Sequence, residues 1–328
     1  MRGKWHNNTG YIFAKSINRR HFKNLMTTDH FPEKITQHVK NIIKTSNSTA
    51  VARQFLLSHI EYSLEQSPIF KKDPVNDMEF LIGNGMIRKY KNRILLITTG
   101  SCSVNCRYCF RRNFNYDFSI NKDNLPELIT KIKSFPEVDE IILSGGDPLT
   151  LSNDVLKNLL VSLNHCDNIA RIRIHSRMLT VAPNRFTFEL LDILGYSKKK
   201  IILVNHINHC DEITKKTSLI AKQLKQQDIF LLNQSVILKG VNDSAKVLTQ
   251  LSNALFEIGI LPYYLNILDK DIGAEHFYLS NKEVMAIYRE FSKQVSGYLL
   301  PKLVYDDGLG ESKKIVGTIN YPELSCPP

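Results

Sequence analysis

From residue 93 onward the chain alternates short β-branched apolar runs with longer segments of helical spacing. RILLITT (93–99), EIILSGG (140–146), RIRIHS (171–176), KIILVNH (200–206), IFLLNQSVIL (229–238) and PYYLNIL (262–268) have the length and composition of strands. Each is followed by a stretch that reads as a helix: 124–134, 153–164, 186–194, 211–227, 244–259 and 281–295. Strands apolar on both faces and joined through helices belong to a parallel sheet. Six such units without a Gly-rich dinucleotide fingerprint predict an α/β fold, a partial (β/α)6 TIM-type barrel rather than a doubly wound sheet. Residues 1–85 read as a helical and irregular N-terminal segment, with EKITQHVKNIIKTS at helical spacing and SPIFKKDPVND as a loop. The barrel is expected over 86–298, and a terminal strand and loop over 299–328.

Such a barrel gathers its chemistry at the C-terminal ends of the strands. The polar clusters GSCSVNC, SGGDP, HSR, NHINH and LDKD all follow predicted strands, and NQS lies within one.

Charge and composition add exclusions. The net charge of +11 (43 Lys and Arg against 32 Asp and Glu) is scattered as KKK at 198–200 and KK at 215–216 and 313–314. That distribution is solvated surface, not the continuous basic stripe of a nucleic-acid binder. No apolar run is long enough to span a membrane. The N-terminus, MRGKWHNNTGYIFAKSINRRHF, is basic but has no apolar core and no small-residue cleavage site, so a cytoplasmic location is expected. In that compartment clustered cysteines point to metal binding or catalysis rather than disulfides.

Three of the six cysteines lie in one loop, as Cys102-x3-Cys106-x2-Cys109. Cys166, Cys210 and Cys326 are isolated and read as small hydrophobes or a tail residue. A structural zinc takes four ligands, commonly two spaced pairs, and no second C-x2-C exists; recruiting His206, His209 or Cys210 departs from known zinc spacings. Three thiolates instead match three irons of a cubane cluster, leaving the fourth iron open to an exogenous chelating ligand. An electron carrier would need a fourth cysteine nearby, and none is there.

The motif after the first barrel strand resembles the signature of radical S-adenosylmethionine enzymes. That resemblance implies a [4Fe-4S] cluster on Cys102, Cys106 and Cys109, with S-adenosylmethionine chelating the open iron and yielding a 5′-deoxyadenosyl radical. SGGDP (144–148) resembles the glycine-rich strand that binds the methionine amine, which implicates Gly145, Gly146 and Asp147. The plainer reading is a strand-to-helix turn with Asp147 as N-cap and Pro148 at the first helical position. By the same resemblance His175, Arg177, His206 and Gln234 contact the methionine or the ribose.

CSVNCRYCFRR, LSGGDPL, RIHSR, LVNHINH, LLNQSVILKGVND and YYLNILDKDIGAEHF together resemble the lysine 2,3-aminomutase family, from about residue 85 to 315. They are most similar to its short branch, which supplies β-lysine for modification of elongation factor P. The resemblance implies pyridoxal phosphate as a further cofactor, held by a lysine seven positions after an acidic residue in a C-terminal Gly-containing loop. Asp306 and Lys313 reproduce that spacing in KLVYDDGLGESKKI, with Lys314 as the adjacent rival. In RKYKNR, Tyr90 and Arg93 occupy positions associated with the cofactor ring and phosphate, and Lys89 stands where longer enzymes have a phosphate-contacting arginine. Arg111 matches the family's carboxylate-binding arginine, and Asp269 and Asp306 match the carboxylates that hold the substrate's distant ammonium.

The implied reaction is conversion of α-lysine to β-lysine by a radical 1,2-shift of the amine. Implied partners are elongation factor P and its lysine ligase, and an electron donor such as flavodoxin or ferredoxin; the sequence leaves self-association open. Another radical S-adenosylmethionine enzyme, RNA-modifying or acting on a different amino acid, is the rival. An RNA-modifying enzyme would carry a nucleic-acid-binding extension and no cofactor lysine.

Overall fold

The computed structural model describes residues 31–63, 67–83, 85–310 and 313–317; the basic N-terminus and Cys326 lie outside the described residues. Among the described residues one sheet runs in chain order: β1 Met86–Tyr90, β2 Arg93–Thr99, β3 Glu140–Gly145, β4 Arg171–Ser176, β5 Lys200–Asn205, β6 Phe230–Val236, β7 Leu261–Asn266, β8 Lys302–Tyr305 and β9 Lys314–Ile315. β2 through β8 are parallel. β1 pairs antiparallel with β2, and β9 with β8. Because the strand order never reverses, the sheet has no switch-point crevice of the doubly wound kind. Strand twist accumulating in one direction curls it into the wall of a partial barrel.

Six helices return the chain between strands: Leu125–Lys133, Asn153–Asn164, Phe188–Gly195, Lys215–Gln226, Ala245–Glu257 and Asn281–Ser292. Five of their starts are set by side chains. Ser152, Thr187, Thr214, Ser244 and Ser280 each accept a hydrogen bond from a backbone N–H in the first turn. The helix expected from 211 therefore begins at Lys215, after the Thr214 cap, and residues Cys210–Glu212 form a separate 3-10 turn. Each helix buries one stripe, such as Leu156, Leu159, Leu160 and Leu163. The sheet answers in period two: Ile172 and Ile174 of β4 join this core, while Arg173 and His175 alternate onto the opposite, interior face.

From Glu33 the chain forms one compact unit, and β8 and β9 continue the barrel sheet. Glu61 shows why the early segment belongs with the barrel. Its buried carboxylate takes Arg107 Nε at 2.9 Å and Arg112 Nη2 at 2.7 Å. Among the described residues no helix is long and apolar enough to cross a membrane.

Candidate active site

The loop after β2 carries Cys102, Cys106 and Cys109, all free and half-buried. Burial pushes the Cys109 thiol up to about 12, helped by the charge of Cys106, and pushes the Cys102 thiol up as well, helped by Asp147 and the other two cysteines. Three thiolates in this setting need a cation among them, which is what a metal centre provides.

The loop is pinned from two sides. Gly146 N donates to Thr99 O at 2.7 Å and Asp147 N to Ser101 O at 2.8 Å. A Cβ would meet Thr99 O at 2.6 Å from Gly145 (φ +110°) and Ser101 O at 2.3 Å from Gly146. The glycines thus serve the approach of β3 to the cysteine loop, where the sequence suggested only an approach to a ligand. Asp147, implied by the resemblance to contact the cofactor, has protein partners of its own. Its carboxylate accepts from Ser176 Oγ at 2.8 Å, Arg177 N at 2.8 Å and Leu149 N at 3.0 Å, so it caps the turn and ties β3 to β4. From the other side, Gln54 O accepts from Arg107 N at 2.9 Å, and Tyr116 Oη donates to Gly145 O at 3.0 Å.

Arg177 is likewise engaged by the protein. Its buried guanidinium donates to Gln54 Oε1 at 2.6 Å, Glu212 Oε2 at 2.9 Å, the Tyr108 hydroxyl and Cys106 Sγ at 3.1 Å. His175 and His206 behave otherwise. The Nε2 of each is buried without a hydrogen-bond partner. Burial, with Arg173 beside His175 and Arg177 beside His206, holds both neutral, His206 down to about 3. Buried polar atoms of this kind require a partner, and a ligand can supply it. Gln234 is half-buried on β6, paired in register with Tyr264 of β7.

Across the mouth, Lys313 Nζ donates to Asn266 Oδ1 at 2.6 Å and stands 5.7 Å from the centre of the Tyr264 ring. Lys314, one residue on, reaches Asp307 at 3.5 Å instead. Asp269 is pushed up to about 6 by burial, against the pull of the Lys313 charge and with the push of Asp306. Asp306 accepts from Gly308 N at 3.0 Å and faces Lys89 Nζ at 3.7 Å. Lys89 is itself buried against Asp77, 2.9 Å away, so its charge is spent in the wall rather than left for a phosphate. Asp77 also takes the side of the Arg111 fork, Nε at 2.8 Å and Nη2 at 2.7 Å, while Arg111 Nη1 donates to Ser144 Oγ at 3.0 Å. Arg93 lies 4.0 Å over the Tyr90 ring, whose hydroxyl is raised to about 12 by burial and by Asp306. Tyr263 and Tyr264 stack at 3.7 Å.

Residues 96–244 match the family described as Radical SAM superfamily. The L-lysine 2,3-aminomutase of Buchnera aphidicola subsp. Baizongia pistaciae is 40% identical over 304 residues, covering 92% of this chain and 89% of that one. The chain belongs to the lysine 2,3-aminomutase family of radical S-adenosylmethionine proteins. The L-lysine 2,3-aminomutase of Escherichia coli is 44% identical over 80% of this chain and 76% of its own. That of Clostridium subterminale is 34% identical over 74% of this chain and 58% of its own.

The family brings a [4Fe-4S] cluster and S-adenosylmethionine, and the donor sets here fit both: three clustered thiols, and orphaned imidazole nitrogens at the ends of β4 and β5. Gln54, Glu61, Asp77, Glu212 and Tyr116 complete the aminomutase-family site without any local motif to announce them. His209 caps the Cys210–Glu212 turn, its Nδ1 accepting from Asp211 N at 3.2 Å.

Asp271 gives this site a pH-dependent stability. It is buried, with one oxygen bonded to Asn113 Nδ2 at 2.5 Å and the other without a partner. Burial raises its carboxyl from 3.8 to about 8. Between those values the folded protein keeps a proton that the unfolded chain has lost, so stability falls as pH rises through the window. Asp271→Asn is expected to flatten that fall and to melt higher than the wild type above pH 8. Parallel plots of Tm against pH for the two proteins would refute it.

Proposed function

We propose that the protein is an L-lysine 2,3-aminomutase that converts free α-lysine to β-lysine with pyridoxal phosphate as its second organic cofactor. The observation that carries this reading is the delivery of the Lys313 amine, from the loop after β8, to Asn266 in the same mouth that holds Arg111 and Asp269. An amine, an aromatic floor of Tyr90, Tyr263 and Tyr264, and the guanidinium of Arg93 fit an aldehyde cofactor bearing a phosphate. Lys313 would hold that cofactor, Arg93 its phosphate and Tyr90 its ring. When bound, the cofactor supplies the conjugated system through which nitrogen can pass between neighbouring carbons. The cluster and S-adenosylmethionine supply the 5′-deoxyadenosyl radical that removes hydrogen from the substrate.

The chain's own residues do the binding and orienting. Asp77 fills the Nε–Nη2 side of Arg111 and leaves N–H groups of Nη1 and Nη2 for the α-carboxylate of lysine. Asp269 and Asp306 hold the ε-ammonium, whose charge the raised Asp269 carboxyl would meet in its ionised form above about pH 6. His175, His206 and Gln234 serve S-adenosylmethionine. The product would supply the modification of elongation factor P by its lysine ligase, with a cytoplasmic flavodoxin or ferredoxin as electron donor. Supporting that placement, the chain is 40% and 44% identical to the Buchnera and Escherichia coli relatives against 34% to the Clostridium one.

The test is anaerobic reconstitution with iron, sulfide and pyridoxal phosphate, followed by lysine, S-adenosylmethionine and a reductant. β-Lysine is the expected product. Its absence, with an intact cluster confirmed spectroscopically, would sink the assignment.

A further inference from the structure

We infer that Arg177 is a positioning residue that raises the reduction potential of the cluster by holding a charge-assisted hydrogen bond on the Cys106 sulfur. The inference rests on the cluster that the family brings, not on which amino acid is rearranged.

The contact is built from several elements. Arg177 follows β4 and is buried, with Nη1 3.1 Å from Cys106 Sγ. Its Nη2 is fixed by Gln54 Oε1 at 2.6 Å and Glu212 Oε2 at 2.9 Å. The Phe55 ring lies 4.4 Å from its Cζ. Glu212 cannot swing away, because its other oxygen accepts from Asn208 N at 2.9 Å, His209 N at 3.1 Å and Gln54 Nε2 at 3.2 Å. The Tyr108 hydroxyl that also accepts from Arg177 is held in turn by Asn208 Nδ2 at 2.7 Å. Every partner but one orients the guanidinium, and the remaining edge presents positive charge to a cluster sulfur.

The potential of an iron–sulfur cluster depends on hydrogen bonds to its sulfurs and on nearby charge. Reduction adds one electron from an external reductant, with no bond made or broken and no proton required. The added negative charge is stabilised by a donor already aimed at the sulfur. Glu212 offsets the guanidinium in sum, but Arg177 itself makes the sulfur contact, so the pair's positive end faces the cluster.

The experiment is a potentiometric titration, followed by electron paramagnetic resonance, of the reconstituted wild type, Arg177→Gln/Glu212→Gln and Glu212→Gln. The double variant removes both buried charges, so neither is left unpaired. It is expected to hold its cluster and to show, at the wild-type midpoint, a reduced-to-oxidised ratio about tenfold lower, equivalent to ~59 mV for one electron. Glu212→Gln leaves the Arg177 charge uncompensated and should move the midpoint upward; it decides the matter if the double variant does not fold. Intact clusters with unmoved midpoints overturn the inference alone. A wild type that assembles no cluster overturns the cluster reading and the inference with it.

Discussion

Replacing Lys313 with alanine is expected to abolish turnover and to leave the protein colourless after incubation with pyridoxal phosphate. Lys314→Ala should keep both. The two lysines are neighbours in sequence but reach different partners. Lys313 Nζ meets Asn266 beneath Asp269, where a cofactor and lysine would sit, whereas Lys314 reaches Asp307. Removing the group that anchors a cofactor covalently is expected to cost at least about a thousandfold in kcat. Retained cluster content and circular dichroism separate this from a folding defect, since Lys313 bonds to Asn266 at the mouth and is not part of the barrel core. Retained absorbance in Lys313→Ala would move the anchor elsewhere.

The second large effect is at Arg111. Arg111→Lys keeps a positive charge beside Asp77 but loses the planar fork that can serve Asp77 and a substrate carboxylate together. Weakening a buried, hydrogen-bonded charge pair costs 2–5 kcal/mol on the general scale, so kcat/KM for lysine should fall by about thirtyfold or more. Cluster content and cofactor absorbance should stay near wild type. A variant with unchanged kcat/KM would remove Arg111 from the substrate site and leave it as the structural partner of Asp77 and Ser144.

Much of this was legible along the chain. The helix Asn153–Asn164 lies where its leucine spacing puts it, and β4 coincides with RIRIHS, because both depend on local period and on caps such as Ser152. The cysteine spacing is likewise local. Less legible was the use to which matched residues are put. Asp147 reads as a cofactor contact or an N-cap, and its tie to Ser176, 29 positions away, is seen only in the fold. That Arg177 also meets Gln54, Glu212 and Cys106 is likewise seen only in the fold. Glu61, Asp77 and Gln54 lie in a segment with no motif, and their partners stand 46, 34 and 123 positions away.

The sequence by itself determined the repeating strand–helix order, the strand ends at which chemistry gathers, and the three thiols, because these follow from periodicity and from spacing within one loop. Only the tertiary structure decided which charges are spent inside the protein and which face the mouth. A guanidinium or carboxylate buried away from water takes whichever partner folding brings within about 3 Å. For Lys89, Asp147 and Arg177 that partner is the protein. For Lys313 and for the orphaned nitrogens of His175 and His206, the space beside them is where ligands are proposed to bind.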